Sequence, residues 1–205
     1  MKTSIYRAVV NKPDSNITMP KSSMRAPGNV PYIVDNLWEW KRPESLPNRR
    51  HAAFASPRPE LAINSVAANA TAYRVEFQGI TSGVKVAQLM NNERVINPQD
   101  SKYHPECKSL TRLAIKLLDP NWIGCAPLQE RQADGMAALW MPCLTRQNMD
   151  AIFQSSKKLA AIREELFEAI CYWDDVHIVD DLNNLPGDEG EIFFEYPNGY
   201  RLISL

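Results

Sequence analysis

The sequence predicts an α+β fold, and three observations carry that expectation. Runs with strand composition, at residues 4–10 and 71–77, alternate with stretches whose apolar residues recur at helical spacing. The longest helical pattern, residues 145–173, gives way to strand-like residues 176–179 and to a β-rich terminus. At 205 residues, with 44% hydrophobic and 23% charged content, the chain suits one ordinary globular domain with a sizeable core.

Each element has its own signal. Ser4-Ile5-Tyr6-Arg7-Ala8-Val9-Val10 combines β-branched and aromatic residues, and the Pro-, Ser- and Asn-rich stretch from Asn11 to Pro31 reads as a long loop. Pro31 opens a helix in which Ile33, Leu37, Trp38 and Trp40 share a partly helical spacing, and which ends before Pro43. Residues 50–56, ending in Phe54-Ala55-Ser56, form a short strand stopped by Pro57. Pro59 then starts a helix through Asn69, with Leu61, Ala62, Val66 and Ala70 on its apolar side. Thr71–Phe77 alternates as a strand, and residues 105–118 suit a second helix. Thr145 is the expected N-cap of the long helix, whose apolar face carries Ile152, Leu159, Ile162, Leu166, Ile170 and Trp173. The chain closes in an expected hairpin turning at Pro197-Asn198-Gly199.

Charge narrows the function classes. A net charge of −1 gives no global attraction to nucleic acid or an anionic membrane. Its distribution is uneven: residues 41–58 hold Lys41, Arg42, Arg49, Arg50 and Arg58 against Glu44 alone, whereas residues 164–191 hold ten acids and no Lys or Arg. One stretch is fit to meet phosphates and the other to supply carboxylates. Cys107, Cys125, Cys143 and Cys171 lack metal or redox spacing, and His104-Pro-Glu-Cys107 has no nearby second ligand pair, so no metal is expected. The N-terminal run, broken by Arg7, does not read as a secretory signal, and no run reaches the ~18 apolar residues of a membrane span. A cytoplasmic setting is the expectation.

Arg7 after Tyr6 on the first strand, Ser56 on the second, and Glu189-Gly190-Glu191 before the terminal strand stand in a recognisable order. In that order the chain resembles the mono-ADP-ribosyltransferases of the arginine–serine–glutamate class, of the bacterial or phage toxin and effector type. The resemblance implies an ADP-ribosyltransferase-like split β-sheet core flanked by helices, over residues 1–205 as a single domain, with an unassigned insertion around residues 83–143. Of the family's usual Ser-Thr-Ser motif only Ser56 is present, in Phe54-Ala55-Ser56-Pro57.

The same resemblance implies the chemistry. NAD serves as co-substrate, without a metal, and ADP-ribose passes to a macromolecular acceptor, protein or nucleic acid. Glu191 stabilises the oxocarbenium-like ribose, a role carboxylates also fill in glycosidases. Glu189 orients or deprotonates the acceptor. If both acids lie on a strand, its period of two turns them to one face. Arg7 holds phosphate or adenosine ribose, Ser56 positions Glu191 or ribose, and Tyr6 and Phe54 are candidate apolar contacts to the nucleotide. An antitoxin or immunity protein is a further implied partner. Two other classes fit the composition: an adaptor that kept the fold and uses Trp38, Trp40, Trp122 and Trp140 as partner surfaces, and a nucleic-acid binder using residues 41–58.

Overall fold

The computed structural model describes residues 4–11, 17–20, 23–25, 30–66, 69–79, 84–90, 106–117, 137–155 and 157–205. In chain order the elements begin with strand β1 (Tyr6–Val9), helix α1 (Tyr32–Lys41), β2 (Ala53–Ala55), α2 (Pro59–Asn64), β3 (Thr71–Phe77) and β4 (Lys85–Leu89). They continue with α3 (Glu106–Leu117), a 3₁₀ turn at Ala137–Trp140, α4 (Arg146–Gln154) and α5 (Lys157–Glu168). A second 3₁₀ turn at Tyr172–Asp175 leads to β5 (Val176–Ile178), β6 (Ile192–Glu195) and β7 (Tyr200–Ser204). The architecture is α+β, with two small antiparallel sheets. The chain divides into two compact units, one of Met1–Met24, Pro43–Tyr103 and Asp174–Leu205, the other of Arg25–Arg42 and His104–Trp173.

The first unit holds every strand among the described residues. One sheet has the order β1-β3-β7 and the other β2-β6-β4-β5, all pairs antiparallel. Alternation along the strands decides what each sheet buries. Ala53 and Ala55 of β2, Ile192 and Phe194 of β6, and Val86 of β4 share one face, and they pack in a single apolar cluster with Ile5, Val75 and Tyr200 from the other sheet. The opposite face of β1 presents Ala8 to Ala62 of α2 and to Ala70, with Tyr6 and Ile63 packed alongside. Small alanines at this contact let the short helix approach the sheet closely.

Two expectations fail in this unit for identifiable reasons. The terminal hairpin does not exist: β6 already has β2 and β4 as neighbours, so β7 crosses to the other sheet and pairs with β3. The turn itself is present, closed by Gly199 N–H donating to the Tyr196 carbonyl at 2.9 Å, with Gly199 at φ +83°. A Cβ at Gly199 would stand 2.3 Å from Ile17 Cγ2 and 2.9 Å from the Thr18 carbonyl oxygen, so the corner admits only glycine without rearrangement. The second difference is β4, which lies inside the region left unassigned. Four of its five residues are buried, and a strand buried on both faces shows no alternation to read.

The second unit is helical. α1 buries Ile33, Val34, Leu37, Trp38 and Trp40. The Trp38 ring stacks on Tyr172 at 4.1 Å, and its indole N–H donates to Glu106 at 3.1 Å. Trp40 stacks on Phe153 and donates to Asp150. Thr145 caps α4 as expected, in a reciprocal capping box with Asn148. The expected single helix over residues 145–173 is instead two, because Ser155 ends α4 and turns its hydroxyl back onto the Ile152 carbonyl at 2.6 Å. The expected apolar face survives the break, with Leu159, Leu166 and Ile170 buried.

Candidate functional site

Tyr6 and Ser56 exchange both backbone hydrogen bonds, at 2.9 and 2.8 Å, in a bridge that joins β1 of one sheet to the end of β2 in the other. The β2–β6 register ends with Ala55 paired to Ile192, and Ser56 and Glu191 are the residues next to this last pair on their two segments. The Tyr6–Ser56 bridge and the Ala55–Ile192 pair thus bring the three motifs to one end of the β2–β6 ladder, with Arg7 next along β1. The sequence separates the first and last of these by almost the whole chain. The β-sheet junction removes that separation.

Neighbouring residues on β1 point apart. Tyr6 packs on the alanine cluster beside α2, so its ring serves the packing of that helix. Arg7 faces the other way, with its guanidinium carbon 5.4 Å from the centre of the Tyr200 ring. Its Nε is buried and has no hydrogen-bond partner among the described residues. A buried guanidinium N–H without an acceptor is costly.

Glu191 is 8% exposed, and a carboxylate so placed requires a countercharge. Arg49 provides it: its Nη1 donates to Glu191 Oε2 at 2.8 Å, and both side chains are about one-tenth exposed. The Arg49 guanidinium also lies over two rings, 5.1 Å from Phe54 and 5.2 Å from Phe193. Phe54 and Phe193 are direct partners in the β2–β6 register, so the two strands build the aromatic floor on which the arginine rests. The Glu191 backbone is fixed as well, its carbonyl accepting from Leu89 N–H at 2.8 Å.

Glu189 sits differently. β6 begins only at Ile192, and Gly190 between the two acids has φ +107°, so the strand spacing expected to turn both carboxylates to one face does not operate. Glu189 lies in a bend, and it pairs with Arg58 at 2.9 Å in a partly exposed bridge. Fully buried Gln88 of β4 secures this bend: its amide nitrogen donates to the carbonyls of Gly187 and Glu189, and its oxygen accepts from Gly187 N–H.

Arg49, Arg58 and Gln88 are the site residues that sequence reasoning did not single out. For the two arginines the signal was the basic stretch itself, whose Arg49 and Arg58 meet the acidic stretch at Glu191 and Glu189, while Gln88 carried none. Arg50 is buried, and in the helical unit Arg42 pairs with Glu39 while Lys41 donates to the Ile170 carbonyl. Arg49 and Arg50 are thus turned inward, while the Arg58 side chain stays 46% exposed. Trp38 and Trp40 are core residues and offer no partner surface; Trp122, His104 and most of residues 90–136 lie outside the described residues. Among the described residues, no cluster of three or more His, Cys, Asp or Glu could hold a metal, and no helix is long and apolar enough to cross a membrane. Compared with known protein families, characterised proteins and solved structures, the chain matches none.

Proposed function

We propose that the strand-bearing unit is a mono-ADP-ribosyltransferase that uses NAD as co-substrate and a protein or nucleic acid as acceptor, in the manner of a toxin or effector. One observation carries the reading: the three motifs, far apart in sequence, meet where the two sheets join, at the Tyr6–Ser56 bridge and the adjacent Ala55–Ile192 pair. The two sheets joined by a bridge are in keeping with the split core of that family.

In this reading NAD supplies a ribose whose bond to nicotinamide breaks with the electron pair leaving on nicotinamide. Glu191 carries the negative charge that favours the developing ribose cation. Ser56 steadies the carboxylate or the ribose. Glu189, more exposed, receives the proton that the acceptor loses as its nucleophilic atom bonds to the ribose carbon. Arg7 is assigned the phosphates or the adenosine ribose of the dinucleotide.

The experiment measures nicotinamide release together with incorporation of labelled ADP-ribose into cell lysate. The wild-type protein is expected to do both. Glu191→Gln should lower nicotinamide release by about 100-fold or more. Glu189→Ala should keep hydrolysis of NAD and lose most transfer. Absence of release from the folded wild-type protein overturns the proposal, and normal transfer by Glu189→Ala overturns the division of labour.

A further inference from the structure

We infer that Arg49 is a positioning residue for this chemistry, resting on the reading above: it sets the direction of the Glu191 carboxylate by gripping one of its oxygens from a floor of two phenylalanine rings. The geometry separates this role from that of a surface ion pair. Arg49 Nη1 and Glu191 Oε2 are 2.8 Å apart, and each side chain is about one-tenth exposed. Two rings, Phe54 and Phe193, confine the guanidinium plane. Those rings are cross-strand partners, so the orientation of the arginine is set by the register of β2 against β6. A carboxylate gripped by a fixed donor keeps a defined heading, and catalysis by charge depends on that heading.

Arg49→Lys keeps the positive charge but loses the planar fork and the stacking surface. It is expected to lower kcat for nicotinamide release by about tenfold or more while KM for NAD stays within about twofold, because the affected step lies after binding. In the Glu191→Gln background the same substitution should cost less than about twofold, since there is no longer a charged carboxylate to direct. Arg49→Gln, which keeps an N–H donor without the charge, is read by the same split, with circular dichroism on every variant.

Wild-type kcat in Arg49→Lys overturns the inference, as does a rise in KM alone, which would put Arg49 on the substrate. Equal losses with Glu191 and with Gln at position 191 also overturn it, because Arg49 would then act independently of the carboxylate. These failures arise with an active wild-type protein. A wild-type protein that releases no nicotinamide instead defeats the transferase reading, and the positioning role falls with it.

Discussion

Glu189 and Glu191 share a side chain and differ in what surrounds it. The carboxylate of Glu191 is buried against Arg49, whereas that of Glu189 meets Arg58 where both are more than a third exposed. Removing one partner of a buried pair strands the other charge out of water, whereas an exposed pair is replaced by solvent. Glu191→Ala should therefore destabilise the fold by about 3–5 kcal/mol. For Glu189→Ala the loss should stay under about 1 kcal/mol. Urea denaturation of the two variants against wild type checks this, and similar midpoints for both would show that Arg49, left without its partner, rehydrates easily. At this scale the sequence showed the acids and the arginines but not which meets which. Arg49 and Glu191 are 142 positions apart, and no local pattern encodes a contact of that range.

The elements were most legible where local chemistry decides them. α1 begins after Pro31 and ends before Pro43, β3 spans the alternating Thr71–Phe77, and Thr145 caps α4, because ring constraints, alternation and capping all act within a few residues. The hairpin was misread because a strand's choice of neighbour depends on tertiary packing, and the long helix because Ser155 turns its hydroxyl back onto the Ile152 carbonyl and ends α4. β4 combines both lessons, since its buried Gln88 looks like a polar residue in a weak strand and is the anchor of the Glu189 bend. Gln88→Leu would keep the bulk and remove three hydrogen bonds, leaving the carbonyls of Gly187 and Glu189 and the N–H of Gly187 to find other partners. With the bend unmoored, transfer of ADP-ribose should fall several-fold more than nicotinamide release does. Amide hydrogen exchange should show faster exchange at Gly187. Unchanged exchange there would mean that the strand backbone alone holds the bend.

For the whole molecule, the decisive fact is how the chain is threaded. The strand-bearing unit is assembled from three separate stretches, and its last, Asp174–Leu205, supplies β5, β6 and β7 together with both acids. β6 is the sheet partner of β2 and one of two partners of β4, whose other partner is β5. Phe194, Ile192 and Tyr200 from the same stretch fill the apolar cluster between the sheets, so its removal takes away both the hydrogen-bond partners and much of the core. The helical unit takes nothing from that stretch, since Arg25–Arg42 and His104–Trp173 contain all of it. A chain ending at Trp173 should thus lose amide protection across β2 and β4 and lose the near-ultraviolet signature of the tyrosines in the cluster. The amides of α1 and α4 should stay protected, held by the Trp38–Tyr172 and Trp40–Phe153 stacks within their own unit. Hydrogen exchange read by mass spectrometry separates the outcomes. Protection of β2 and β4 in the shortened chain would show that these strands find partners without the C-terminal stretch. Loss of protection in α1 and α4 as well would show that the two units fold as one cooperative block.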